Sequence, residues 1–343
     1  MTRRQRRLQE KRQRHGRPAK GRQLAVGAGA TVGATLLMGG VANAANITVD
    51  SLADAPDPGH TTLRDALHTI NTSPPADSHI TFASGLSGTI NLNSELAINY
   101  PVSIQGPGAG QLAISGQDSS RTFYLEGLTN GFDVSISGLT LSHGKAIGTG
   151  NDRNGGAIFN YNADLVVSSS VLTLNTAAGT SGTSGGFGGA ICSCDAQAGS
   201  LTISNSTLSG NTATSRGGAV YSDYAPLSID GVTISGNKAR SGGGGLSIYN
   251  PNGPSAVKNS TIAGNALTES DREGGGVYSY MNASGIRFEG VTISGNSADH
   301  GGGIYFSNEP GSIPIVLHNS IVANNSAASR VRTSSGPSTP RSV

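Results

Sequence analysis

The chain has 343 residues, of which 51 are glycine and none tryptophan, and only 5% are aromatic. Such a composition excludes a thick core of large side chains and fits a thin one of Val, Ile, Leu and Ala. The formal charge of +2 misleads, because residues 1–44 hold ten Lys and Arg and one Glu, a surplus of +9 that leaves −7 for residues 45–343. Three Arg in the last residues leave −10 for residues 45–328. Basicity therefore gives no ground for a nucleic-acid partner, and none is expected.

The chain opens with the basic run of residues 1–23, followed by the uncharged Ala/Gly/Val/Leu stretch Leu24–Ala42 and the A-x-A pattern Ala42-Asn43-Ala44. This order predicts a Sec-type signal peptide over residues 1–44 and a bacterial protein that is secreted or held at the cell surface. The Arg-Arg pairs stand too far from the apolar run for a twin-arginine signal. The alternative is an uncleaved anchor, since about 19 apolar residues can span a bilayer. That segment is the only membrane contact expected.

Residues 45–130 predict an N-terminal cap and first irregular coils. In Thr61–Asn71, Leu63, Ala66, Leu67 and Ile70 recur at helical spacing, which predicts an amphipathic helix closing the end of the structure that follows. Short strands are expected around Ile80–Phe82, Thr89–Leu92, Val102–Ile104, Leu112–Ser115 and Thr122–Leu125.

Residues 131–328 are a repeat. The units Leu165–Ala177, Leu201–Ala213, Leu227–Ala239, Ser255–Leu267, Ile286–Ala298 and Ile315–Ala327 vary one pattern, and Val134–Ala146 is a weaker copy with Gly144 at the Asn place. Each unit ends near an Asn, at Asn175, Asn211, Asn237, Asn265, Asn296 and Asn325, spaced by 36, 26, 28, 31 and 29 residues. Glycine clusters such as Gly217-Gly218-Ala219-Val220 precede each unit, and apolar residues alternate with small polar ones, as in Leu201-Thr202-Ile203. Period two means strands, and units too small to bury an apolar face alone must stack. About three short strands per unit, many corner glycines and no crossover helices predict an all-β fold, a right-handed single-stranded parallel β-helix solenoid with an N-terminal capping helix. The repeated Asn should form a structural ladder of side-chain amides. Periodicity stops after Ala327; residues 329–343, rich in Ser, Arg, Pro and Thr, are expected to be a disordered tail and suggest a truncated or frameshifted reading frame.

Asn46-Ile47-Thr48-Val49, Leu63-Arg64-Asp65-Ala66, Ile80-Thr81-Phe82 and Gly88-Thr89-Ile90 together resemble the start of secreted bacterial β-helix proteins with a C-S-L-R-E-A motif. Thr61-Thr62 replaces Cys-Ser, and Asp65 replaces Glu. The G-G-[AG]-[IV] and [LI]-x-x-N repeats resemble those of polymorphic outer membrane proteins, aliphatic residues replacing their Phe. The resemblance spans about residues 46–327 and implies a pectin-lyase-like β-helix at the cell surface, in families that are mostly adhesins or of unknown activity.

Seven of the nine tyrosines follow the glycine clusters. With Ile158, Val220, Val277 and Ile304 inward, alternation turns Phe159, Tyr221, Tyr278 and Tyr305 outward as a column able to stack on sugar rings, or simply to stiffen the sheet. Charges gather before the same glycines: Asp152, Arg153, Arg216, Arg240, Asp271, Arg272, Glu273, Asp299 and His300. Beside an aromatic column they form a candidate ligand-binding groove, or a solvated edge. The expected partner is a polysaccharide or another cell-surface component, bound by a monomer of adhesin type without catalytic residues. The alternative is a polysaccharide lyase or glycoside hydrolase, with carboxylates for acid–base work and Arg or His as proton acceptor. Calcium-binding G-G-x-G-x-D, polygalacturonase-like N-T-D, D-D, G-H-G and R-I-K, and H-E-x-x-H motifs are all missing, so no metal and no cofactor is assigned. Cys192 and Cys194 are the only cysteines, and are expected to be free or to form a strained disulfide needing a local turn.

Overall fold

The computed structural model describes residues 45–74, 77–179, 185–194, 199–280, 284–307, 313–328 and 341–342; the predicted signal peptide lies outside them. The described chain is an all-β, right-handed parallel β-helix with one helix near its start. Each regular coil contributes one strand to each of four sheets. In one coil these are Leu201–Ser204 in sheet 1, Thr207–Ser209 in sheet 2, Thr212–Ala213 in sheet 3 and Val220–Asp223 in sheet 4; Leu227–Asp230 then begins the next coil in sheet 1. Sheet 1 has ten strands, sheet 2 nine, sheet 3 seven and sheet 4 nine.

The sequence pattern predicts three strands per coil, and the short sheet-3 strand is additional. It arises just after the ladder Asn, where Thr212 points out and Ala213 in, and pairs with Lys238–Ala239 of the next coil. Its two residues are too short to leave a period-two signature.

Register is held by equivalent residues. Leu201 aligns with Leu227, Leu208 with Ile234 and Val220 with Leu246, so each inward side chain rests on its counterpart one coil away. These residues are buried, and an apolar core, mostly aliphatic with Phe123, Phe132 and Phe288, runs from Val49 to Ile304. A one-residue slip in any strand would send this column to water.

The first strands join the same sheets as the repeats: Ala45–Val49 opens sheet 1, Gly88–Asn91 sheet 2 and Leu96–Ile98 sheet 4. Helix α1 runs Leu63–Thr72 and buries Leu63, Ala66, Leu67 and Ile70. Thr62 is its N-cap and shares a capping box with Asp65, satisfying donors that the first turn leaves open. The Asn71 side chain donates to Ala97 O (2.8 Å) and accepts from Asn99 N (3.1 Å), pairing groups along Leu96–Ile98. Arg64 grips Asp54 at 2.9 and 3.0 Å and reaches Ser94 O, tying the helix to the loops around it. The helix thus covers the start of the stack, which would otherwise present open strand edges.

At the other end, Leu317 lies in register with Phe288 and is 38% exposed, whereas Phe288 is fully buried. Of the tail, only Arg341–Ser342 is described; it pairs antiparallel with Tyr305 and Phe306. The remaining tail residues predicted to be disordered lie outside the described set.

Candidate functional site: the outer face of sheet 4

The glycine pair before each sheet-4 strand fixes where the candidate residues stand. Gly217 has φ +68°, and a Cβ there would meet Val220 O at 2.3 Å, so the tight turn into the strand needs glycine. At Gly218 a Cβ would lie 2.0 Å from Gly244 O of the next coil. Coils therefore approach too closely for any side chain there, and the residue just before the pair becomes the rim of sheet 4. Arg216, Gly242, Glu273 and His300 pair successively through parallel bridges and form one column.

The expected loop cluster divides in two. Arg216, Arg240, Asp271, Arg272, Glu273, Asp299 and His300 gather at the C-terminal coils. Arg240 Nε and Arg272 Nη2 share Glu269, at 3.5 and 3.0 Å. His300 Nε2 lies 3.1 Å from Asp271 Oδ1, and the Asp271 backbone N–H donates to the Asp299 carboxylate. Asp152 and Arg153 lie apart, in the 3₁₀ turn Gly150–Arg153, whose carbonyls serve Arg121. Glu269 and Arg121 were not singled out by sequence, Arg121 because its unit lacks the glycine pair.

The aromatic column exists, but its predicted exposure is corrected. Phe159 aligns with Tyr124 on one side and Cys192 on the other, Cys192 with Tyr221, Tyr221 with Ser247, Ser247 with Tyr278, and Tyr278 with Tyr305. Cys192 and Ser247 interrupt it. Phe159 is 0% exposed, Tyr221 6% and Tyr278 7%; Tyr305 alone of the four stays partly exposed. The cause is a second layer on the outside of the sheet. Phe187 lies 4.6 Å from Tyr221 between ring centroids, Tyr249 stands 5.5 Å from Tyr221 and 5.6 Å from Tyr278, and Arg216 covers Tyr249 and Tyr278. Alternation identifies the face a side chain takes; it does not say what lies over that face.

What remains open is a pair one row further along, Tyr249 and Tyr280, together with Tyr305 at the end of the column. Tyr249 and Tyr280 align in adjacent coils with centroids 4.9 Å apart, and Tyr305 stacks on Tyr278 at 5.5 Å and 2°. All three are partly exposed. Tyr249 and Tyr280 were not among the residues the sequence singled out; they stand two residues past column positions, so period two is the signal that could have found them.

Burial dominates the electrostatics. It pushes the Tyr249 phenol up to about 12 and raises Tyr221 and Tyr278 further, keeping all three hydroxyls neutral at physiological pH. Glu273 is also raised by burial, against the opposing pull of His300 and Arg272. The site offers aromatic faces, neutral hydroxyls, one histidine–carboxylate pair and a carboxyl biased toward protonation. No group of three or more His, Cys, Asp or Glu among the described residues could hold a metal.

Cys192 and Cys194 are joined by a disulfide with Cα atoms 5.5 Å apart, and lie in the buried outer cluster with Tyr124, Phe159 and Tyr221. A fully extended strand would separate residues two apart by roughly 6.6 Å, so this strand is drawn in locally.

The six predicted ladder residues form one ladder. Asn175 Nδ2 donates to Asn211 Oδ1 at 3.0 Å, and the same bond joins Asn211 to Asn237, Asn237 to Asn265, Asn265 to Asn296 and Asn296 to Asn325, each at 2.9 Å. Each Oδ1 also accepts a backbone N–H, as Asn237 Oδ1 does from Asn211 N. Gly144 donates its backbone N–H to Asn175 Oδ1 at 2.8 Å, ending the ladder without a side chain.

The geometry is that of a β-helix repeat protein, a class whose scaffold is constant and whose outer loops differ. A family model described as a right handed beta helix region matches residues 188–341 of this chain. No curated protein matches it.

Proposed function

We propose that this chain is an exported or cell-surface β-helix that binds carbohydrate or another surface partner through the outer face of sheet 4, and carries out no chemistry. One observation carries the reading: Tyr249 and Tyr280, in the row past the column, and Tyr305, at the column's end, are partly exposed on a backbone that the stack holds rigid, with Arg216 lying over Tyr249. Tyrosines present an apolar face and a polar tip, and ordering them beforehand lowers the entropy lost on binding. The net negative charge of residues 45–343 argues against attraction of anionic partners by general electrostatics and for recognition by specific groups.

The second reading, a polysaccharide lyase or glycoside hydrolase of pectin-lyase-like fold, is favoured by the raised Glu273 carboxyl and the neighbouring His300–Asp271 pair. Full-length protein would be tested on a glycan array and on cell-surface fractions, with reducing-end and unsaturated-uronate assays alongside. We expect binding without turnover, weakened at least tenfold by Tyr249→Ala or Tyr280→Ala. Turnover abolished by Glu273→Gln or His300→Ala would overturn the non-catalytic reading.

A further inference from the structure

The dipeptide Asn-Gly occurs three times in this chain, at Asn130-Gly131, Asn154-Gly155 and Asn252-Gly253. In such a pair the main-chain nitrogen of the glycine can reach the side-chain amide before it, because no Cβ crowds the approach and the backbone has its widest choice of angles. Attack asks two things of the fold: a glycine N–H that is not donating, and an asparagine side chain free to turn.

Two of the three sites are held closed. Gly131 N donates to Asn162 O at 2.8 Å, and Asn130 Oδ1 accepts from Asn162 Nδ2 at 3.3 Å. Gly155 N donates to Phe187 O at 2.9 Å, Asn154 Oδ1 accepts from Phe187 N at 3.1 Å, and Asn154 is buried. Asn252-Gly253 differs on each count. It stands in the turn between Leu246–Tyr249 of sheet 4 and Ser255–Lys258 of sheet 1, with Asn252 exposed and Gly253 partly so. Other groups anchor this turn: Asn250 N donates to Tyr280 O (3.2 Å), Asn252 N to Tyr224 O (3.1 Å), and Ser284 Oγ to Pro251 O (2.8 Å). Among the described residues nothing accepts from Gly253 N, and nothing pairs with the Asn252 side chain.

We propose that Asn252 is a self-modification site, converted without an enzyme into aspartate and isoaspartate. Gly253 N, giving its proton to a solvent base, attacks Asn252 Cγ; the N–Cγ bond forms, the Cγ–Nδ2 bond breaks, and Nδ2 leaves as ammonia with a proton from solvent. Water then opens the resulting cyclic imide. Cleavage between Gly253 N and Cγ restores the ordinary main chain with aspartate at position 252. Cleavage between the same nitrogen and the main-chain carbonyl carbon of residue 252 leaves the chain running through Cγ, as isoaspartate. Water is the only co-reactant, and nothing is oxidised or reduced. Either product adds a negative charge to a stretch that is already acidic, and isoaspartate lengthens by a methylene the main chain leading from Tyr249 into sheet 1. The reaction is independent of any ligand on sheet 4. Each closed site must break two hydrogen bonds before it can react, which slows it about tenfold or more.

The test incubates the full chain at mildly alkaline pH, folded and in parallel in concentrated guanidinium chloride. Peptides spanning the three sites are then separated and weighed, and an unincubated sample digested alongside subtracts change made during digestion. In the folded protein Asn252 should undergo amide-to-acid conversion at least tenfold faster than Asn130 and Asn154, yielding separable aspartyl and isoaspartyl forms. In denaturant the three rates should draw together. Asn252→Gln, a change at an exposed side chain, should remove the modification there and leave the other two sites as they were. An unmodified Asn252, or equal rates at the three sites in the folded chain, overturns the proposal. The same spread of rates in denaturant overturns it too, by tracing the difference to neighbouring sequence and not to the fold. Aspartate without isoaspartate would mean direct hydrolysis of the amide, and removes the imide route.

Discussion

Each ladder asparagine satisfies more than itself. Asn237 Nδ2 serves Asn265 Oδ1 and Leu208 O, while its Oδ1 accepts the N–H and Nδ2 of Asn211, all in a fully buried row. Asn237→Ala would strand buried polar groups in two coils, and should cost about 3 kcal/mol, read from urea unfolding. Asn237→Asp should cost at least as much, because it turns an acceptor toward Leu208 O and Asn265 Oδ1. Glycines divide by cause. Gly218→Ala should destabilise strongly, since its Cβ would strike Gly244 O and the Lys238 backbone, whereas Gly236→Ala meets nothing within 4 Å and pays only for φ +63°, about 1 kcal/mol. Glu273 adds a pH dependence. Its folded pKa is raised, so the stability it contributes is present below the ordinary carboxyl range and lost as pH rises through it. Glu273→Gln should therefore raise the thermal midpoint near neutral pH, and the gain should vanish toward pH 4.

At the scale of elements, helix α1 and the sheet-4 strands respond to different forces. Thr62→Ala removes the hydroxyl that accepts from Asp65 N, leaving only the Thr62 backbone N–H on the Asp65 carboxylate, and should cost about 1 kcal/mol, seen as a lower thermal midpoint with unchanged sheet signal in circular dichroism. The Cys192–Cys194 disulfide links residues with a sequence separation of 2, so it restrains the unfolded chain little. Reduction, or a double change to serine, should lower stability by about 1.5 kcal/mol or less on the chain-entropy scale. The buried phenols act at high pH. Tyr221, Tyr249 and Tyr278 resist ionisation when folded but not when unfolded, so stability should fall above pH 10, and fall less steeply in Tyr278→Phe.

The described coils form a stack in which backbone pairing runs only between neighbouring coils, so its stability is close to a sum over coils and interfaces. Residues 201–226 make one complete coil, because Leu201 and Leu227 are equivalent in register. Deleting them joins Ser200 to Leu227 and should let Asn175 pair with Asn237. We expect a folded, cooperatively unfolding protein with a lower thermal midpoint, checked by circular dichroism and limited proteolysis; loss of β-sheet signal would contradict a modular stack.

Much of this was legible in the chain. Strand alternation, the Asn period and the glycine pairs are local patterns, and they determined the β-helix, the position of helix α1 and the face on which Phe159, Tyr221 and Tyr278 lie, because a period of two and a fixed repeat length leave few ways to bury the apolar face. Local pattern could not tell that Phe187, Tyr249 and Arg216 would lie over that face, or that Glu269 would hold two arginines. Apart from the Arg272–Glu269 pair within one loop, those facts come from residues one or more coils apart in the chain, and the insertions of variable length that bring them together carry no period from which to read the meeting.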